Sequence, residues 1–199
     1  MDKNLTSSFP LFLSLLSLIP SSLPPSSSPS SIEQIARMYG VQAVVVSVDP
    51  KRVWLQTAEA EAKAIADGHT VLEEEGGGAD KKCWYQCTVS GGRSTRNLDA
   101  VALCRGVEKL GCGELMVNCI DNDGQGQGFN LSLLNAVCAA VTIPVIASSG
   151  AGKAGDFVEV FEKTAVSAAL AAGIFHRKEV GIDEVKKAMV DGGIVARGI

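Results

Sequence analysis

A chain of 199 residues, 46% hydrophobic and 20% charged, can bury one sizeable core, yet it falls short of the roughly 250 residues of a complete eight-unit α/β barrel. A net charge of −4, with no Lys/Arg cluster interleaved with aromatics, argues against tracking a phosphate backbone, so no nucleic-acid partner is expected. The six cysteines (Cys83, Cys87, Cys104, Cys112, Cys119, Cys138) lack Cys-x-x-Cys zinc spacing, and several lie inside apolar runs where Cys behaves as a small hydrophobe. They read as reduced thiols of an intracellular protein. Cys83 and Cys87 are spaced to share a strand face, but a metal site needs at least two more ligands. His69 and His176 show no evident pairing, so no metal is expected.

Five of the seven prolines lie before residue 30 in a Ser-rich stretch, which places a domain boundary near Ser30. The apolar patch from Phe9 to Ile19 is too short to cross a bilayer, which takes about 20 residues, and no membrane partner is expected. Residues 1 to 30 therefore read as a disordered or targeting-like segment. Their Ser-rich, acid-poor character is closer to a plastid transit segment than to a secretory signal, although arginine is lacking. Residues 31 to 199 read as the globular domain.

That domain opens with Ser31-x-x-Gln34, a capping-box pattern for a helix through Met38 that Gly40 closes. A buried-type strand, Ala43 to Val48, follows and stops on Asp49-Pro50-Lys51-Arg52. From Arg52 to about Lys82 the chain is expected to be irregular, and Glu73 to Gly78 reads as a solvated loop of low functional content. Trp84 to Val89 alternates as a strand and runs into the mobile polar loop Ser90-Gly91-Gly92-Arg93. Helical spacing of Ala100, Leu103, Val107 and Leu110 predicts a helix from Asn97 to Leu110, stopped by Gly111.

Three strand-helix units complete the chain. In the first, the strand Glu114 to Ile120 ends on Asp121-Asn122-Asp123-Gly124. Its loop, with Gly124, Gly126 and Gly128, reads as mobile over a ligand, and Asn130 caps an apolar helix through Val141. In the second, Ile143 to Ala147 leads through Ser148-Ser149-Gly150-Ala151-Gly152-Lys153 to a helix presenting Phe157, Val160 and Phe161. In the third, Ala168 to Ala171 runs through Ala172-Gly173-Ile174-Phe175-His176 to a helix around Ile182, Val185 and Met189. Short buried strands alternating with helices predict a parallel α/β sheet.

Strand ends carry the chemistry in such folds. Carboxylates at the C-terminal ends of parallel strands are where barrel enzymes keep acids and bases. Asp49 is a candidate, set against an ordinary Asp-Pro turn. Asp121 and Asp123 are further carboxylates on one strand end, with turn and cap roles as the plain alternative. Small residues at strand ends leave backbone N–H groups free to meet an anion near a helix N-terminus. Ser149 to Gly152 and Ala172-Gly173 have that character and end successive strands, so they are expected to lie side by side and share a phosphate, tight βα turns being the alternative for each. There is no G-x-x-x-x-G-K-[ST] loop, the glycines after Asp123 lack dinucleotide-fingerprint spacing, and no Ser-His-Asp arrangement is readable.

These segments together carry a resemblance. The runs from Ala43 to Arg52, Asn118 to Gly124, Ala147 to Lys153 and Ala168 to His176 closely resemble, in order and spacing, the cyclase part of imidazole glycerol phosphate synthase. The Trp84 to Arg93 segment is similar to the eukaryotic form, in which a glutaminase precedes the cyclase on one chain. The resemblance implies a (β/α)8 barrel without cofactor. Its activity in histidine biosynthesis takes ammonia, from a glutaminase partner, and a phosphoribulosyl formimino aminoimidazole carboxamide ribonucleotide. The products are imidazole glycerol phosphate and an aminoimidazole carboxamide ribonucleotide.

By that resemblance Asp49 matches one of two catalytic aspartates, a general acid/base. Asp123, Gly124, Gly150, Ala151, Ala172 and Gly173 match the cradle of a substrate phosphate, Ser90 and Gly91 a substrate-contacting loop, and Glu114 the charged gate for ammonia. The resemblance starts just before the family's fifth strand. The chain is therefore expected to form a C-terminal half-barrel of four strands, a truncated cyclase that pairs with another half. A non-catalytic phosphosugar-binding half-barrel is the alternative from another class. The related isomerase of the same pathway is a third reading, which the Ala172 to His176 ending and the Ser148 to Lys153 loop disfavour.

Overall fold

The computed structural model of the protein describes residues 11–13, 29–74 and 81–197. Residues 1–10 and 14–28, the greater part of the segment expected to stand apart from the domain, lie outside them. The strand β1 (Leu11–Leu13) is described and pairs in parallel with β2 (Val44–Val48), Leu11 opposite Val44. Between them lies the helix α1 (Ser31–Tyr39). Its capping box is one residue earlier than predicted. The Ser30 hydroxyl accepts the Glu33 N–H, and the Glu33 carboxylate accepts the Ser30 N–H at 2.8 Å. Glu33 at the third helical position is ionised and pairs more strongly with the orphan amide than Gln34 could.

The stretch expected to be irregular is largely ordered. It holds β3 (Pro50–Leu55), α2 (Ala58–Ala66) and β4 (Leu72–Glu73), which precede β5 (Lys82–Val89) and β6 (Ser94–Asp99). β3, β4 and β6 all pair antiparallel with β5. Thr57 caps α2 by accepting the Ala60 N–H at 3.1 Å. β3 is hard to see in the sequence because it starts on a proline and mixes Lys51 and Arg52 with apolar residues. As an edge strand it tolerates Pro50, whose missing N–H costs no ladder bond.

α3 (Ala100–Lys109) starts three residues later than predicted, because Asp99 closes β6 and then caps the helix, accepting the Ala102 N–H at 2.9 Å. The three predicted strand-helix units follow. They are β7 (Glu114–Asn118) with α4 (Leu131–Ala140), β8 (Val145–Ser148) with α5 (Ala154–Lys163), and β9 (Ala168–Leu170) with α6 (Gly173–His176) and α7 (Ile182–Asp191). Asn130 caps α4 as expected, its Oδ1 accepting the Leu133 N–H at 2.9 Å.

The main sheet has the order β1-β2-β7-β8-β9, parallel throughout. It is the α/β architecture expected from the alternation: β2, β7, β8 and β9 are four consecutive strand-and-helix units of a barrel with flanking helices, and β1 adds a fifth parallel strand beside β2. Val46, Val48, Leu115, Val117, Val145 and Ala147 point to one face and are 2% exposed or less. They pack in one cluster with Leu103, Val107, Leu133, Val137, Phe157 and Val160 of the helices. Burying each large side chain contributes about 1.5–3 kcal/mol. All six cysteines are free thiols and five are buried. Burial pushes Cys83 and Cys104 up to about 12 and Cys119 up to about 11.

Candidate functional site at the C-terminal strand ends

β2 delivers Asp49 to the C-terminal edge of the sheet, half-buried. Its main chain is held from the antiparallel layer: buried Thr88 donates to the Asp49 carbonyl through its N–H at 3.2 Å and its hydroxyl at 2.7 Å. The Ser47 hydroxyl approaches Asp49 Oδ1 at 3.5 Å. Burial pushes the Asp49 carboxyl above its ordinary value. Hydrogen bonds from Asn118 and Ser47 pull it back, and the charge of Asp123 adds to the rise. An acid held partly desolvated near a second carboxylate suits proton transfer.

The two carboxylates after β7 part company. Asp123 faces Asp49 electrostatically. Asp121 instead accepts the Arg52 N–H at 2.6 Å, and Ile120 donates to the Pro50 carbonyl at 3.0 Å, so this stretch ties β3 to the end of β7. One oxygen of Asp121 is thus engaged in a backbone contact between these two elements.

The glycines after Asp123 make close backbone contacts with the next loop. Gly128 donates to the Gly150 carbonyl at 2.9 Å, and Asn122 Nδ2 donates to the Gly128 carbonyl at 3.1 Å. A Cβ on Gly150 would come 2.1 Å from the Gly128 oxygen, and one on Gly152 would come 2.2 Å from that of Gly126. Only glycine fits there, and φ of +99° at Gly150 favours it as well. The segment expected to be mobile is therefore clasped against the loop after β8. Gly124, by contrast, has open space around it.

Gly150 and Ala151 end β8, and Ala172 and Gly173 end β9, so these loops leave neighbouring strands, as expected. Buried Asp156 accepts the N–H groups of Gly152 and Lys153 at 2.7 and 3.1 Å, which engages part of the α5 N-terminus. Ser90 and Gly91 form the tip between β5 and β6, both with positive φ, two residues beyond the Thr88 clamp on Asp49. A Cβ on Gly92 would meet Ile120 at 2.9 Å, so the tip lies against the end of β7. Glu114 stands apart from all of these at the N-terminal end of β7, opposite Val45 and half-buried.

One polar cluster escaped the sequence reading. Glu74, placed in a solvated loop, turns inward because β4 folds back along β5. It accepts the hydroxyl protons of Tyr85 and Ser132 and pairs with Arg52 at 3.5 Å. The buried Tyr85 oxygen also accepts from Arg52 Nε at 3.0 Å and Asn130 Nδ2 at 2.6 Å. Burial and the Glu74 carboxylate raise the phenol far above its usual range. The cluster borders a cavity of about 680 Å³, whose lining includes Asp121 but not Asp49 or Asp123. Among the described residues no group of three or more His, Cys, Asp or Glu is placed to hold a metal.

Parallel strands, flanking helices and a carboxylate above glycine-rich strand ends define a barrel-type α/β protein. The family model described as "Histidine biosynthesis protein" matches residues 21–181, and the chain belongs to that family. It is 51% identical over 168 residues to "Imidazole glycerol phosphate synthase hisHF, chloroplastic" of Arabidopsis thaliana, covering 84% of this chain and 28% of that protein. To "Imidazole glycerol phosphate synthase hisHF" of Emericella nidulans it is 50% identical over 173 residues, covering 86% and 30%. To "Imidazole glycerol phosphate synthase subunit HisF" of Lactococcus lactis subsp. cremoris it is 39% identical over 170 residues, covering 85% and 56%. The chain thus spans under a third of the two hisHF relatives and just over half of the HisF subunit.

Proposed function

We propose that residues 31–199 are the Asp49-bearing half of an imidazole glycerol phosphate synthase cyclase, with residues 1–30 as a leading segment whose strand β1 lies along β2. In this reading Asp49 is one of a pair of acid/base groups and its partner aspartate comes from the other half of the barrel. Asp123, Gly124, Gly150, Ala151, Ala172 and Gly173 hold one substrate phosphate. Ser90 and Gly91 contact the substrate, and Glu114 guards ammonia entry at the opposite end of the sheet. The substrate is the phosphoribulosyl formimino aminoimidazole carboxamide ribonucleotide, and ammonia arrives from a glutaminase. The observation that carries the reading is Asp49, half-buried at a strand end with a raised carboxyl pKa, beside glycine loops that leave adjacent strands.

The inner sheet face and the outer edge of β9 are where a second half-barrel docks in this reading. Ammonia-dependent formation of imidazole glycerol phosphate is expected when the protein is mixed with the first half-barrel of a hisHF relative. Asp49→Asn lowers that rate by about 10² to 10⁴, the usual worth of acid/base assistance. Undiminished turnover by the variant overturns the assignment. Calorimetry with the ribonucleotide substrate tests the phosphate cradle. Ala151→Asp is the suitable probe, since it adds a carboxylate without the backbone collision any side chain at Gly150 meets. Equal binding by Ala151→Asp counts against the cradle. Binding without turnover in the mixture favours the alternative, a phosphosugar-binding half-barrel.

A further inference from the structure

Asp49, Asn118 and Ser148 form a row across the top of the inner face of three neighbouring strands. Val48 pairs with Val117, which brings the next residues, Asp49 and Asn118, level, and Asn118 pairs with Ser148 in register. Residues level with one another on parallel strands share a face. The Ser148 hydroxyl donates to Asn118 Oδ1 at 3.2 Å. An amide whose oxygen is held on one side presents its NH₂ group to the other, and here that side is Asp49, which stands level with Asn118 on the neighbouring strand. We propose that Asn118 is the positioning residue for Asp49: held by Ser148, its amide donates to the Asp49 carboxylate and fixes its orientation at the strand end.

The inference rests on the reading of Asp49 as the acid/base group. A carboxylate that must give and take a proton needs a defined rotamer as well as a suitable affinity for that proton. The Ser47 hydroxyl, 3.5 Å away on the same strand, is a weak second tether. Asn118 is therefore the main donor that stabilises the charged form. The titratable groups that act on or feel Asp49 from other elements are Asp123, beyond β7, whose charge opposes ionisation, and the buried Cys87 thiol of β5. Neither donates a hydrogen bond to Asp49, so neither replaces Asn118.

The test is a carboxyl-detected NMR titration of the full 199-residue chain labelled with ¹³C-aspartate. The Asp49 resonance is assigned from its absence in Asp49→Asn. In Asn118→Leu, which keeps the volume and removes the donor, Asp49 titrates at higher pH than in the unmodified protein. In Ser148→Ala it moves the same way by less, since the amide stays but loses its anchor. An Asp49 titration that is unchanged in whichever of these variants keeps a folded amide spectrum overturns the proposal. The titration is read without substrate or turnover. A failed cyclase assay therefore counts against the functional reading alone, and an unmoved titration counts against the positioning role alone.

Discussion

The two faces of the parallel sheet differ sharply. On the helix-covered face, Val46, Val48, Leu115, Val117, Val145 and Ala147 are closed off from solvent. On the inner face, Ser47, Met116, Asn118, Ile146 and Ala168 are only half-buried, and Leu170 is 42% exposed, although Val45 and Ser148 are covered. Both faces belong to the same strands and alternate residue by residue, so β propensity does not explain the contrast. One face completes its core with helices of this chain, whereas the other keeps the polar row of Asp49, Asn118 and Ser148 and apolar side chains that remain partly open. Stability is thus concentrated on one side of the sheet and candidate chemistry on the other.

Neighbouring residues of β7 sharpen this most strongly. Leu115→Ala is expected to cost about 3 kcal/mol in urea unfolding, since the helices close over it. Met116→Ala, one residue on and facing inward, is expected to cost less than about 1 kcal/mol. Equal losses would show that the inner face is as well packed as the outer.

The glycine clasp gives the next contrast. Gly150→Ala meets the Gly128 carbonyl as well as an unfavourable φ and should cost more than about 2 kcal/mol, whereas Gly124→Ala bears only the left-handed penalty of ~1 kcal/mol. Thermal unfolding of the two variants checks the order; similar losses would mean that the clasp does not constrain the loops. Tyr85→Phe removes the oxygen that serves Arg52, Asn130 and Glu74 together and is expected to cost about 1–3 kcal/mol, with a neutral result showing that water replaces it.

The smallest effect concerns pH. Because the folded pKa of Asp49 lies above its unfolded value, the folded state binds the extra proton. Its contribution is destabilising above the folded pKa and vanishes below the unfolded one. Asp49→Asn should therefore stabilise the protein at neutral pH, with the gain shrinking as pH falls through the folded pKa towards that value. A gain that is constant with pH would show that ionisation of Asp49 is not its origin.

The units that were legible in the sequence are those whose signals are local. β2, β7, β8 and β9 are short apolar runs bounded by turn residues, and Asn130 and Gly111 mark helix ends by their own chemistry. The capping box slipped by one residue because Ser30 and Ser31 both offer a hydroxyl and only the partner at the third position separates them. β3 and β4 were missed because their pairing with β5, tens of residues away for β3 and across a loop for β4, supplies what their mixed composition lacks. Glu74 was misplaced for the same reason: a run of acids beside glycines reads as solvated until a distant strand brings Tyr85 and Arg52 beside it. The glycines after Asp123 gave no sign of which carbonyls they face.

The sequence by itself determined the alternation of strand and helix, the carboxylate and glycine chemistry at the strand ends and the kinship with the histidine biosynthesis family, because each is carried by residues close together in the chain. Only the tertiary structure decided that Asp121 and Asp123 serve different sides, that Gly150 and Gly152 rest on Gly128 and Gly126, and that Asn118 lies between Asp49 and Ser148. Those relations depend on strand register, and register is set by packing between segments that the chain keeps far apart.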